Sequence, residues 1–135
     1  MEIEKIFIDT SAFYALMDRS DRYHQKAKHL WAFVLDENVS LKTTNYIIVE
    51  ALALMQSRLD FEAAHLFSKD ILGLAEILWV DEPRHNLAYE LWLSLGRKKL
   101  SLVDCVSFIT MRHYGLETVF GFDRHFNEQG FKALD

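Results

Sequence analysis

Ile6-Phe7-Ile8-Asp9 sets the reading of this chain: three apolar residues in unbroken succession, closed by a carboxylate. Such a run suits a short strand covered on both faces, as strands of a parallel sheet are. Downstream, Ala27, Leu30, Trp31, Val34 and Leu35 fall at i, i+3, i+4, i+7 and i+8 within Tyr23 to Asn38, one apolar helical face. Val39, Leu41 and Thr43 alternate with polar neighbours and predict a second strand. Ser11, or Ser20-Asp21, can cap short helices between these elements.

The alternation continues to the end of the chain. Thr44 or Asn45 can cap a helix from Tyr46 to Leu59, and Phe61 to Leu72 reads as another. Ile77-Leu78-Trp79-Val80 predicts a third strand. Pro83 suits the first turn of the next helix, where Ala88, Leu91, Trp92 and Leu95 form a stripe that reads as core, with Gly96 near its end. Ser101 caps a helix to Tyr114, and Gly115 stops it. Thr118-Val119-Phe120 is a fourth strand, and Phe131 to Leu134 a short fifth. Strands alternating with helices define an α/β domain around a mainly parallel sheet. In open sheets of this kind ligands bind beyond the carboxyl ends of the strands.

The length of 135 residues fits one domain spanning 1–135, with no linker, repeat or low-complexity tract. A chain this size buries roughly 65–70% of its unfolded surface, so a core needs no disulfide or structural metal. Cys105 is the only cysteine, which points to a reducing compartment. No apolar run is long enough to span a membrane, and Met1 to Lys5 lacks the basic and apolar signature of a leader. The expectation is a cytoplasmic protein with no membrane partner. The net charge of −5 argues against a polyanionic partner. Four of those negative charges, however, belong to the candidate site below, and the remaining scaffold is close to neutral.

Those four are Asp9, Glu50, Asp104 and Asp123. Asp9 ends the first strand and Asp123 follows the fourth. Glu50 is the sole charge between Tyr46 and Met55, and Asp104 the sole charge between Leu102 and Met111. Ionised carboxylates in apolar company are costly unless paired or bound to a cation. Brought together they also raise one another's pKa values. Convergence at one sheet edge therefore implies a hard cation, Mg²⁺ or Mn²⁺. Each acid also has a plainer reading: Asp9 could close a turn, Asp104 could complete a capping box with Ser101, and Asp123 could be a loop acid. Glu50 has the weakest plain reading, because a helix apolar on most sides offers it little water.

Phe7-Ile8-Asp9-Thr10-Ser11-Ala12, Asn45 to Ala51, Leu100 to Asp104 and Phe122-Asp123-Arg124-His125-Phe126 together resemble the PIN domain family, and within it the VapC-like toxin ribonucleases. The resemblance runs through nearly the whole chain. It implies a three-layer α/β/α fold and Mg²⁺- or Mn²⁺-dependent endonucleolytic cleavage of RNA. By motif match Asp9 and Asp104 would be the principal metal ligands, with Glu50 and Asp123 completing the pocket. Thr10 or Ser11 would orient Asp9 or the substrate phosphate, and Arg124 could contact phosphate. An antitoxin protein and a homodimer are the implied partners. Two alternatives stand beside this reading: an RNA-processing nuclease without antitoxin, and a partner-binding module with vestigial cleavage.

Other residues are weaker signals. Arg97-Lys98-Lys99 could steer an RNA backbone or form a solvated loop, and Lys42 and His125 are similarly ambiguous. The six histidines show no zinc-binding spacing. A haloacid-dehalogenase-like phosphatase would need a second acid at position 11, where this chain has Ser11.

Overall fold

The computed structural model describes residues 3–135. Met1 and Glu2, the start of the segment read for a leader, lie outside the described residues. Five strands form one sheet: β1 (Lys5–Ile8), β2 (Ser40–Thr44), β3 (Ala75–Leu78), β4 (Thr118–Phe120) and β5 (Lys132–Ala133). Their order is β3-β2-β1-β4-β5, and every pairing is parallel. Helices flank the sheet: α1 (Thr10–Met17), α2 (His24–Asp36), α3 (Asn45–Arg58), α4 (Phe61–Leu66), α5 (Glu82–Leu95), α6 (Leu102–Tyr114) and α7 (His125–Glu128). The α/β expectation holds, with a sheet that is parallel throughout.

The order carries the functional consequence. β1 lies at the centre, with Ile6, Phe7 and Ile8 fully buried, as an unbroken apolar run requires. From β1 the chain steps outward through β2 and β3, then returns to add β4 on the opposite side. The crevice between β1 and β4 is thus the topological switch point, where the carboxyl ends of neighbouring strands part. Asp9 and Asp123 follow those two strands.

Several elements differ from the sequence reading in their bounds. The third strand lies at Ala75–Leu78, two residues earlier than expected. The Val80 N–H leaves the ladder and donates to Asn45 Oδ1 at 2.8 Å, which ends the strand and leaves Trp79 exposed. The expected helix Phe61 to Leu72 stops at Leu66, followed by a π turn over Phe67–Ile71 and a 3₁₀ turn over Leu72–Leu74. Phe67, at the start of the widened turn, is fully buried edge-on against Phe13, with ring centroids 4.9 Å apart. Neither Ser11 nor Ser20-Asp21 caps a helix: Asp9 caps α1, and α2 starts after Tyr23 with no side-chain cap. The α5 stripe is only partly core, since Ala88 is buried while Trp92 is 38% exposed.

Candidate active site

Asp9 is held from both sides of the crevice. Its backbone N–H donates to the Phe120 carbonyl at 3.0 Å, tying β1 to β4 beyond the ladder. Its Oδ2 accepts the Ser11 hydroxyl at 2.9 Å and the Ser11 N–H at 3.3 Å. Ser11 Oγ in turn accepts the Phe122 N–H at 2.9 Å. One hydroxyl therefore joins Asp9, at the end of β1, to the loop after β4. Gly121 makes this approach possible: a Cβ there would stand 3.0 Å from Asp9 Cβ and 3.3 Å from Ser11 Oγ. The sequence reading passed over Gly121, because lack of space around a glycine leaves no trace in local pattern.

The other three acids come from separate segments. Glu50 sits in the second turn of α3, whose N-cap Thr44 accepts the Ile47 N–H at 3.2 Å. Thr10 Oγ1 donates to Glu50 Oε1. The two hydroxyls thus divide their work, Ser11 orienting Asp9 and Thr10 orienting Glu50. The surroundings of Glu50 are wetter than expected: α3 buries only the Ile47-Ala51-Met55 stripe, and Val49 beside it is exposed. Asp104 lies in the first turn of α6 and forms a true capping box, its Oδ2 accepting the Ser101 N–H at 3.0 Å while its own N–H donates to Ser101 Oγ at 3.1 Å. Asp123 Oδ1 accepts the His125 N–H at 2.9 Å, opening the short helix α7, which the sequence reading missed.

A common pattern runs through the four. Each carboxylate has one oxygen held by a protein donor and a second oxygen, Asp9 Oδ1, Glu50 Oε2, Asp104 Oδ1 and Asp123 Oδ2, with no hydrogen-bond partner among the described residues. The groups also feel one another electrostatically. Burial pushes Asp9 up to about 7, the charge of Asp104 adds to this, Ser11's hydrogen bonds oppose it, and Glu50 adds again. Burial likewise raises Glu50, against the Thr10 bond and with the charges of Asp104 and Asp123. Asp104 is raised by burial and by Asp123, with the Ser101 bonds and His125 pulling the other way. Four acids from distant parts of the chain thus share one field. Among the described residues no three acids, histidines or cysteines are drawn tightly enough to encircle an ion.

This donor set fits a hard divalent cation. It offers carboxylate oxygens, each pre-oriented on one side and open on the other, the ligand chemistry of Mg²⁺ and Mn²⁺. A cation would also offset the burial, and the lesser repulsion from Asp104 and Glu50, that raise the Asp9 pKa. Cys105, next to Asp104, is a buried core residue whose thiol is raised to about 11 by burial, with Asp104 adding.

The remaining candidates separate clearly. Arg124 is exposed beside Asp123, whereas His125 is buried, with Nδ1 3.0 Å from Glu128 Oε1. Lys42 pairs with Glu76 across β2 and β3, which commits it to the sheet.

Fold and site together define a PIN domain: the family model matches residues 6–132, and the chain belongs to this family. Among relatives, the chain is 31% identical over 129 residues to the 23S rRNA-specific endonuclease VapC20 of Mycobacterium tuberculosis, covering 93% of this chain and 95% of the relative. The crystal structure of that Sarcin-Ricin loop cleaving toxin superposes with a TM-score of 0.84 at 28% identity, over 93% of this chain and 95% of that one. FitAcB from Neisseria gonorrhoeae, at 17% identity and TM-score 0.69, covers 96% of both chains and shares the fold. DNA-bound VapBC from Salmonella typhimurium, at 14% identity and TM-score 0.68, does so over 99% of this chain and 98% of that one.

Proposed function

We propose that residues 1–135 form a single nuclease domain that hydrolyses RNA phosphodiester bonds with Mg²⁺ or Mn²⁺, as the toxin of a VapBC-type toxin–antitoxin pair. The observation that carries this is the set of four carboxylates at the switch point, each with one oxygen tied and one free. Asp9 and Asp104 would be the main ligands, with Glu50 and Asp123 completing the shell. A divalent cation held by these carboxylates would supply an acidified water and offset charge on the phosphoryl oxygens.

The chain's own residues do the rest. Ser11 and Thr10 fix the rotamers of Asp9 and Glu50, so a cation there would be held by preset oxygens instead of mobile ones. The α6 N-terminus, where Asp104 sits, adds a favourable dipole for the anionic substrate. Arg124 at the open rim is placed to meet a neighbouring phosphate. The products are a 5′-phosphate and a 3′-hydroxyl. The VapC20 relative makes ribosomal RNA the first substrate to test, and the VapBC relative supports a cognate antitoxin. A homodimer in the cytoplasm, where the RNA is met, completes this reading. No described helix is long and apolar enough to cross a membrane.

The test is cut-site mapping on ribosomal RNA with the unsubstituted protein and Asp9→Asn, in Mg²⁺, in Mn²⁺ and in EDTA. Discrete cuts are expected with either metal and none with EDTA. Asp9→Asn should slow cleavage by roughly 100-fold or more, the loss typical of removing a key transition-state stabiliser. Undiminished cutting in EDTA would overturn the mechanism.

A further inference from the structure

We propose that the groove between the end of α5 and the start of α6 is a nucleotide subsite, where a base flanking the scissile phosphate stacks on Trp92 and its phosphate meets Arg97 and Lys98. The proposal rests on the nuclease reading above and deepens it. The groove is open, about 560 Å³, and is lined by Trp92, Leu93, Arg97, Lys98, Leu100 and Ser101 among others. That volume is within the usual range of small-molecule sites. Leu100 is buried and forms an apolar floor, while Trp92 keeps 38% of its surface exposed and stacks on Tyr89 at 5.8 Å.

Two structural links join the groove to the acidic cluster. Ser101 lines the groove and also holds Asp104 through the capping box. Arg97 Nη1 donates to Glu128 Oε1 at 3.1 Å, and the same oxygen lies 3.0 Å from His125 Nδ1. His125 Nε2 in turn lies 3.8 Å from Asp123 Oδ1. The groove is thus tied through Ser101 to Asp104 and through Arg97, Glu128 and His125 to Asp123.

Charge selects the occupant. Arg97, Lys98 and Lys99 are consecutive, exposed cations in a chain of net charge −5. With Arg97 partly engaged by Glu128, they give a predominantly negative protein a place to hold a polyanion beside its acidic centre. Aromatic faces next to basic groups are how unpaired RNA bases are held. A purely apolar protein partner would use the exposed Leu87, Tyr89 and Leu93 of α5 and would gain nothing from the cations.

The experiment uses the full chain carrying Asp9→Asn, to prevent cleavage, and a short fluorescein-labelled single-stranded RNA of mixed sequence. Adding Trp92→Ala should weaken binding about tenfold, and Trp92→Phe should restore most of it, because stacking needs only an aromatic face. Adding Lys98→Ala should lower the slope of log K against log salt by about 0.7, the change expected when one phosphate is no longer neutralised. A 4-thiouridine version of the RNA should crosslink within the groove. Circular dichroism and melting checks that each variant is folded. Unchanged affinity and salt slope in both variants, with crosslinks elsewhere, overturns the subsite while leaving the nuclease standing. So does a change of oligomeric state in Trp92→Ala with RNA binding intact, which marks a protein-docking face. If the unsubstituted protein leaves RNA uncut in Mg²⁺ and Mn²⁺, the nuclease reading itself falls, and the subsite with it.

Discussion

Gly121 lies so close to Asp9 that a Cβ on the glycine would stand 3.0 Å from the aspartate's Cβ and 3.5 Å from its Oδ2. The glycine serves here for space and not for a left-handed backbone. Gly121→Ala must push Asp9 or Ser11 aside by a few tenths of an ångström. We expect cleavage to fall by about 10- to 100-fold, the scale at which small misplacements act, while stability drops by about 1–3 kcal/mol as in other overpacked sites. Steady-state cleavage and urea melts of the same variant measure both, and unimpaired cleavage would show that Asp9 needs no such exact seat.

Ser11→Ala removes the hydroxyl that donates to Asp9 and accepts from Phe122. The Phe122 N–H is then left without its acceptor in a partly buried place, at a cost of about 1–3 kcal/mol. Ser11's hydroxyl and its backbone N–H both lower the Asp9 pKa; the substitution removes only the hydroxyl bond, which moves the pKa further up. The alkaline shift should appear in the pH dependence of cleavage. Thr10→Val, which frees the wetter Glu50, should cost less in both assays. Equal effects from the two substitutions would contradict the division of labour between the hydroxyls.

Asp104 has both a structural and a functional reading, and two substitutions separate them. Asp104→Asn keeps an oxygen to accept the Ser101 N–H, so stability should stay within about 1 kcal/mol of the parent while cleavage is nearly abolished. Ser101→Ala removes the N-cap acceptor and should cost about 1 kcal/mol, within the usual capping range. The Ser101 N–H still reaches Asp104 in that variant, so cleavage should fall less than about tenfold. Active Asp104→Asn protein would leave this residue a cap and nothing more.

Burial raises Asp9 from 3.8 to about 7 in the folded chain, and Glu50 and Asp104 shift the same way. Between those limits the folded state holds more protons than the unfolded one. Stability from these groups is thus full below about pH 4 and drains away as pH rises through about 7. Asp18 and Glu128 are lowered by hydrogen bonds and act oppositely at the acid end, but neither is deeply buried and their weight is small. Protein dialysed against EDTA should therefore melt lower at pH 8 than at pH 5.5. Mg²⁺ or Mn²⁺ needs ionised carboxylates, so the rise in melting temperature on adding it should be larger at pH 8. Differential scanning calorimetry at the two pH values, with and without metal, gives the answer; a metal-induced rise confined to pH 5.5 would refute this account.

Local chemistry was enough to reveal the strands and the helix limits that depend on a single residue. Ile6 to Ile8 suited a covered strand, Thr44 and Ser101 could cap the helices that follow them, and Gly96 and Gly115 end theirs in the left-handed conformation. The four acids were visible as lone charges in apolar surroundings. Everything that depended on a partner distant in sequence was hidden. The π turn at Phe67 answers to Phe13, the early end of β3 to Asn45, the burial of His125 to its surroundings, and Gly121 to Asp9. Propensity and capping act over a few residues of chain, whereas available space and a shared electric field exist only after the sheet has brought β1 and β4 side by side.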